Sequence, residues 1–160
     1  MKRQIRAASL ATALAWPPGV WAFDALPSLG DLRHAPHRDW LTLSGASHHF
    51  QPERRDWRET NPGLGFEREL SGTPWVATAG YLRNSYDHHT AYLGGRWMPL
   101  TAGPLKAGLL GLLATGHPSP VLVLPTVSVQ AGRIGANLIA VPNLPGYSGY
   151  LGIQLRLALE

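Results

Sequence analysis

The sequence has no cysteine and little charge. The absence of Cys from its 160 residues excludes a disulfide-stabilised scaffold, a thiolate zinc site and a cysteine nucleophile. Only 15% of the residues are charged, against about a quarter in an ordinary soluble domain. No run of 18 apolar residues occurs, which excludes a helical membrane protein. With 18 Gly and 14 Pro the chain has too many helix breakers for a helical bundle, and 44% hydrophobic residues are too many for disorder.

The N-terminus predicts a secretory signal peptide at residues 1–22. A basic start, Met1–Arg6, precedes an apolar run, Ala7–Trp16, and Val20–Ala22 has the small residues of a signal peptidase site. The alternative, a folded N-terminal helix, requires Pro17-Pro18 to lie at a helix end. Cleavage removes three of the 14 basic residues and no acidic residue, which leaves a net charge of +1. The basicity therefore belongs mostly to the export signal, and we expect no nucleic-acid partner.

Eight short segments with strand-like alternation follow residue 38, separated by turn residues. Strands of about ten residues match the length of a transmembrane β-strand. An even number of such strands behind a signal peptide is typical of an outer-membrane barrel. We therefore predict an all-β fold, an eight-stranded antiparallel up-and-down transmembrane β-barrel over residues 39–160, in the outer membrane of a Gram-negative bacterium. The alternative is a soluble exported sandwich. The segments are Trp40–Phe50, Gly63–Leu70, Trp75–Ser85, Thr90–Met98, Leu105–Thr115, Val121–Gln130, Gly132–Ala140 and Gly149–Leu159.

Two further features fit a membrane barrel. Leucines at threefold spacing in residues 23–38 (Leu26, Leu29 and Leu32) predict a short amphipathic helix on the membrane surface, with a plain linker as the alternative. Aromatic residues along the strands predict belts at the membrane interfaces. These aromatic residues are Trp40, Trp57, Trp75, Trp97, Tyr81 and Tyr92.

Polar side chains suited to chemistry concentrate at two strand ends. Ser47–Phe50 closes strand one, and Arg83–His89 forms the turn after strand three. Strands one and three run in the same direction in an up-and-down barrel, so both groups meet at one rim. A hydroxyl and an imidazole there can form a Ser–His nucleophilic unit, although a polar rim with no chemistry is the alternative. The four histidines also suggest a metal site, but adjacent residues on a strand point to opposite faces, so we expect no metal and no diffusible cofactor.

Several stretches over most of residues 40–159 resemble one known family. They comprise a proline-flanked aliphatic strand, a strand ending in proline, a closing strand, a Gly-rich second strand and a polar turn followed by strand four. Together they resemble the outer-membrane lipid A palmitoyltransferase family. In the order given, the stretches are Pro120–Val129, Ala140–Pro142, Gly149–Leu157, Gly63–Phe66, Asn84-Ser85 and Gly94–Leu100.

The resemblance implies a membrane-embedded acyltransferase that moves an acyl chain from a phospholipid to lipid A of lipopolysaccharide, and we expect a monomer. The family uses a His at the end of strand one and an Asp-Ser pair in the turn after strand three. Ser85 matches the Ser, Asn84 falls where the Asp stands, and His49 or His48 matches the His. We favour His49, because Ser47 and His49 then share the lumenal face.

Because Asn stands at position 84 where the family has Asp, the resemblance does not decide which reaction the site performs. An amide can orient an imidazole, but it lacks the charge that stabilises an imidazolium. We expect Asn84→Asp to preserve or raise activity if residue 84 orients the imidazole. The alternatives to transfer are a lipid A deacylase and a non-enzymatic structural or binding barrel.

Prolines and glycines suggest how a lipid tail reaches the interior. Pro125 and Pro142, predicted in neighbouring strands six and seven, cannot donate to the ladder, which predicts a lateral gap unless each only ends a strand. Small residues at Gly94-Gly95 predict room for an acyl chain. Arg83 and Arg55 are candidate partners for lipid phosphates, or else solvated rim charges.

Overall fold

Eight antiparallel strands close into one barrel in the computed structural model, which describes residues 26–51, 56–143 and 148–159. Each strand pairs with its neighbours in sequence, and the last pairs with the first, so the predicted up-and-down barrel is confirmed. The first strand begins at His37, two residues before the predicted boundary. The predicted signal peptide and Arg55 lie outside the described residues. The strands are β1 His37–His49, β2 Thr60–Leu70, β3 Trp75–Arg83, β4 His89–Ala102, β5 Leu105–Ala114, β6 Val121–Ala131, β7 Ile134–Val141 and β8 Tyr150–Ala158.

Alternation along the strands separates an apolar outer wall from a polar interior. In β8, Gln154 and Arg156 are buried inside, whereas Leu155 is 51% exposed on the outside. The same pattern recurs around the barrel, as expected from the twofold period of side chains along a strand. We call the exposed apolar side chains of the outer wall the apolar belt. It includes Leu43, Leu64, Phe66, Leu93, Leu109, Leu113, Val121, Val123, Ile134, Leu151, Ile153, Leu155 and Leu157.

A buried ionic cluster fills the barrel interior below its middle. The carboxylate of Glu67 forms ion pairs with Arg96 at 2.9 Å and with Arg156 at 2.8 Å. Asn137 donates to Glu67 at 3.1 Å and to Gln154 at 3.0 Å. These five side chains are at most 9% exposed. They therefore form a packed plug at this level rather than the wall of a water-filled pore.

The two ends of the barrel differ. Residues 50–51, 56–59, 84–88, 115–120, 142–143 and 148–149 lie at one end, which we call the mouth. The other end carries the shorter connections 71–74, 103–104 and 132–133, in which Gly103 and Gly132 adopt positive φ. Outer-membrane barrels place long loops outside the cell and short turns in the periplasm, which assigns the mouth to the extracellular side if the barrel is in that membrane.

A short helix precedes the barrel at the end opposite the mouth. Helix α1, Leu29–His34, lies within the segment predicted as a helix or linker. Ser28 and Asp31 form a capping box at its start, which satisfies otherwise unpaired backbone N–H groups. Arg68 of β2 donates to the carbonyl of Leu32 at 2.9 Å. Among the described residues, no helix is long and apolar enough to cross a membrane.

Three of the predicted belt aromatics are placed differently. Trp40 and Tyr92 are buried inside the barrel, because both follow the inward parity of their strands. Trp57 lies in a mouth loop, where it stacks on His49 at 4.4 Å. Tyr81 is 54% exposed on the outer wall, a position that an interface aromatic requires. Trp75 and Trp97 are partly exposed and are cross-strand partners in β3 and β4.

Gly94 of β4 also has a different role from the predicted one. A Cβ at Gly94 would overlap the backbone carbonyl oxygen of Gly111 and approach the Cα of Leu112. Gly94 therefore permits close approach of β4 to β5, and the space that it saves is already filled by backbone. The prediction of room for an acyl chain is therefore wrong at Gly94, whereas a Cβ at Gly95 would meet only the carbonyl oxygen of Val76 within 4 Å, at 3.3 Å.

Pairing between β6 and β7 stops at Pro125. Among the described residues, their register runs from Ala131–Ile134 to Thr126–Ile139 and does not include Val121–Pro125. Ala140 and Val141 continue to pair with β8. The predicted local loss of pairing is thus confirmed at Pro125, whereas Pro142 lies just beyond the end of β7 rather than inside it.

Candidate functional site

A β-bulge in β1 selects which histidine faces inward. The β1–β8 register passes from Ser44–Gln154 to Ala46–Ile153, so Gly45 is an extra residue and the inward parity changes. Ser47 and His49 therefore point into the barrel at the mouth. His49 is only 3% exposed, whereas the side chain of His48 is 69% exposed. The prediction that His49 is the inward histidine is confirmed.

A cavity of about 170 Å³ occupies the barrel between the ionic cluster and the mouth. Its walls are mainly apolar and include Leu110, Leu112, Leu122, Leu124 and Ile139. Polar groups close it below, at Arg96 and Gln154. At the mouth it is lined by His49, Asn84 and Ser85. The structure thus brings the three predicted site residues to one cavity, as the strand directions required.

Ser85 belongs to a closed ring of hydrogen bonds. Ser47 donates to Oδ1 of Asn61 at 2.7 Å, and Nδ2 of Asn61 donates to Oγ of Ser85 at 3.3 Å. Since the single hydroxyl proton of Ser47 is already used, the 3.2 Å contact between the two hydroxyls has Ser85 as its donor. The proton of Ser85 is therefore directed to Ser47, and not to His49. Asn61 is a site residue that the sequence reasoning missed.

Asn84 is fastened into the turn that follows β3. Its Oδ1 accepts from the backbone N–H groups of Tyr86 at 2.9 Å and His88 at 3.0 Å. Its Nδ2 donates to Oγ1 of Thr90 at 2.9 Å and to the carbonyl of Gly116 at 2.7 Å. Two acceptor and two donor positions are thus used, which is the full capacity of an amide. In this arrangement Asn84 fixes the turn that carries Ser85 and does not orient the His49 ring.

Five rings form an aromatic collar around the mouth. Trp57 stacks on His49 with an interplanar angle of 3°, and the ring centroid of Tyr150 lies 5.4 Å from that of His49. Trp57 also contacts Tyr86 at 5.3 Å, and Tyr86 contacts His117 at 5.1 Å, both edge to face. The collar joins three mouth loops to β1 and β8. It narrows the entrance and restrains the imidazole of His49.

The predicted rim arginine is already paired. Arg83 and Arg58 both contact the carboxylate of Asp87, at 2.9 and 3.1 Å. The Arg83 guanidinium is the main cause that holds the pKa of the Asp87 carboxyl below its usual range. Two cations thus share the single carboxylate of Asp87 at the rim.

The described residues contain no group of three or more His, Asp or Glu side chains placed to hold a metal ion. The adjacent histidines diverge, as the period of a strand requires: His48 points outward and His49 inward. The site thus consists of an imidazole, hydroxyls and amides above an apolar cavity. No protein-family model matches the chain, and no curated protein matches it significantly.

Proposed function

We propose that this barrel is an outer-membrane enzyme that transfers an acyl chain from a phospholipid to lipid A. The observation that supports this most is the position of His49, which lies at a polar mouth directly above an apolar cavity. Such a cavity suits the hydrocarbon part of a lipid, and the mouth suits its ester. The resemblance to the lipid A palmitoyltransferase family agrees with this reading.

The apolar belt supports a position in a membrane. Leu64, Leu93, Leu113 and Val123 are each at least 58% exposed, on β2, β4, β5 and β6. Soluble monomers rarely expose continuous apolar patches larger than a few hundred Å². A belt that surrounds the barrel is instead the outer surface of a β-barrel in a lipid bilayer.

The cavity suits an acyl chain by its chemistry. Leu110, Leu112, Leu122 and Leu124 form an apolar surface that gains free energy when it contacts hydrocarbon instead of water. The volume is close to that of an apolar cavity of about 150 Å³ that takes up benzene. Binding of the tail in the cavity would place the ester of the phospholipid beside the polar mouth. The free energy of tail binding then helps to orient the ester toward His49.

The interrupted β6–β7 ladder supports lateral entry of the tail. A groove of about 510 Å³ lies on the outer wall beside the interruption and is lined by Pro125, Val127, Leu138 and Ala140. On the inner side, Leu122, Leu124 and Ile139 line the cavity near the same strands. A tail that passes between the two therefore meets apolar side chains on both sides of the wall.

The proposed reaction uses His49 as a general base. The imidazole takes the proton of a sugar hydroxyl of lipid A, and the hydroxyl oxygen attacks the ester carbonyl of the phospholipid. The new ester bond forms as the old one breaks, and the imidazolium returns its proton to the departing lysophospholipid oxygen. Because the Ser85 proton is directed to Ser47, the geometry favours attack by the acceptor hydroxyl over attack by Ser85.

Mass spectrometry of lipid A from Gram-negative cells that express the chain tests the proposal. Added acyl mass is the expected result, lost acyl mass would indicate a deacylase instead, and unchanged lipid A would indicate a structural barrel. His49→Ala should abolish the modification, and Ser85→Ala should reduce it. Ser119→Ala is the matched control, because Ser119 lies in another mouth loop and donates to the carbonyl of Val121. Full activity in both site variants would place the chemistry elsewhere.

A further inference from the structure

A carboxylate that the sequence reasoning did not consider lies against the catalytic histidine of the proposed reaction. Oε1 of Glu59 accepts the backbone N–H of His49 at 2.9 Å. The same oxygen lies 3.9 Å from Nδ1 of His49 and 3.4 Å from Nδ1 of His48. The Glu59 carboxylate therefore lies against the end of β1, where it meets the backbone N–H of His49 and the rings of His48 and His49.

The backbone fixes Glu59 at this place. The carbonyl of Glu59 accepts from the N–H of Ser47 at 2.8 Å, so pairing of β1 with the chain before β2 continues beyond the strand. The next residue back, Arg58, donates its N–H to the carbonyl of Ser85 at 3.1 Å. Glu59 thus stands on the same hydrogen-bonded frame as Ser47 and Ser85, and its side chain has only a short distance to reach His49.

The His49 ring lacks a hydrogen-bond partner at Nδ1, the atom that lies 3.9 Å from Glu59. Its Nδ1 is buried and makes no hydrogen bond among the described residues. The ring contacts both Trp57 and Tyr150, so a large movement of the imidazole would break these contacts. The Glu59 side chain is 45% exposed, and its Oε1 already accepts the backbone N–H of His49. A small rotation of the carboxylate closes the 3.9 Å distance to a hydrogen bond.

We propose that Glu59 is the positioning residue of His49, an inference that rests on the proposed function. Its carboxylate accepts the Nδ1 proton, which fixes the tautomer and leaves Nε2 to take the proton of the acceptor hydroxyl. The negative charge then stabilises the imidazolium that forms during the reaction. Glu59 supplies the charge that Asn84 lacks, from a different loop.

The surroundings of His49 support this assignment. The titratable groups that face it are Glu59 from the loop, His48 from β1 and Tyr150 from β8, and Trp57 adds no charge. The hydrogen bond from the His49 backbone is the main cause that holds the pKa of the Glu59 carboxyl below its usual range. Glu59 is therefore a carboxylate at neutral pH, as the role requires.

The first test does not depend on activity. NMR titration of the full barrel in detergent micelles, with labelled histidine, measures the protonation of the His49 imidazole in the wild type and in Glu59→Gln. Gln keeps the acceptor for the His49 backbone and the size of the side chain, so the fold is retained. Loss of the charge should lower the pKa of the His49 imidazole, because the negative charge of Glu59 favours the protonated ring. Glu59→Asp should restore part of the shift.

Asp56→Asn is the matched control, because it removes the same charge from the same loop and should leave the His49 titration nearly unchanged. An equal titration in the wild type and Glu59→Gln would overturn the pairing. The activity test is separate: the acid limb of the pH profile should move to lower pH in Glu59→Gln, with kcat reduced and KM unchanged. A shifted titration with an unaltered pH profile would overturn the catalytic role. Absence of lipid modification by the wild type would refute the proposed function and leave the titration result to decide the pairing.

Discussion

The carboxylate of Glu67 is the counter-ion of Arg156 inside the barrel, at 2.8 Å, where Glu67 has no solvent exposure. The same carboxylate also contacts Arg96. Removing one partner of a buried ion pair leaves a charge without compensation. Replacement of a single charged side chain of this cluster should therefore lower the free energy of unfolding substantially.

Glu67→Gln should lower the free energy of unfolding by about 3–5 kcal/mol, because it leaves the buried guanidinium of Arg96 without its anion and that of Arg156 with Glu69 alone. Thermal and urea unfolding in detergent micelles, followed by circular dichroism, measures the loss. Asp39→Asn is the control, since Asp39 pairs with Arg68 at 2.7 Å in a partly exposed position. That change should cost at most about 1 kcal/mol. Equal losses in the two variants would contradict the ionic cluster as a source of stability.

Gly94→Ala should destabilise the barrel, by about 1–3 kcal/mol, because the added Cβ overlaps the backbone of β5 at Gly111. Backbone in a paired strand cannot rotate away as a flexible side chain can. Gly45→Ala is the matched control, because a Cβ at Gly45 meets no atom within 4 Å. The same unfolding measurements compare them. If Gly94→Ala were as stable as Gly45→Ala, β4 and β5 would not approach as closely as described.

Much of the fold could be predicted from the sequence because strand parity is a local property. Leu151, Ile153 and Leu155 alternate with polar or small residues, and this pattern alone assigns the outer wall. The prediction for Trp40 is wrong because it rests on the residue type, whereas the place of Trp40 in β1 gives it the inward parity of Thr42. The aromatic type of Trp40 predicts a position at the outer wall and its parity predicts a position inside, and Trp40 packs inside the barrel.

The candidate site was predictable only in part. His49 ends β1 and Ser85 follows the end of β3, and these two strands run in the same direction. The topology therefore brings both residues to one mouth, independently of the conformation of the loops. Glu59 lies in a charged loop whose path depends on long-range backbone pairing with Ser47, and no local pattern marks it. Asn61 was missed for a similar reason, because its partners are 14 and 24 residues away.

Acidification should weaken the mouth through His117. Burial is the main cause that lowers the pKa of its imidazole, against a smaller opposite effect of the hydrogen bond with Ser119. The unfolded chain then binds more protons than the folded chain between the folded pKa and about 6.5. The contribution to stability is complete above that range and is lost as the pH falls through it.

His117→Phe keeps a ring against Tyr86 and cannot be protonated. The decrease in Tm between about pH 7.5 and pH 5 should therefore be smaller in this variant than in the wild type, in unfolding experiments at matched ionic strength. His34→Phe is the control, because His34 is exposed in helix α1 at the opposite end. The prediction would be wrong if both variants lost as much Tm on acidification as the wild type.

Asn84→Asp should weaken the protein rather than improve it, which reverses the expectation from the sequence alone. A carboxylate can still accept from the backbone of Tyr86 and His88, but it cannot donate to Thr90 and would face the carbonyl oxygen of Gly116 at about the 2.7 Å now spanned by the amide. Loss of a buried donor costs about 1–3 kcal/mol. The turn that carries Ser85 should loosen, so lipid-modifying activity should fall together with Tm.

Asn143→Asp is the control for this change. Its Oδ1 accepts from the N–H of Gly149 at 2.8 Å, a role that a carboxylate performs equally well. Tm and the acylation state of lipid A are measured for both variants beside the wild type. An Asn84→Asp protein that keeps its Tm and gains activity would show that residue 84 acts on the imidazole, and that the amide bonds to Thr90 and Gly116 do not hold the turn. A Tm loss confined to Asn84→Asp would assign residue 84 to the turn that holds Ser85, through its bonds to Thr90 and Gly116.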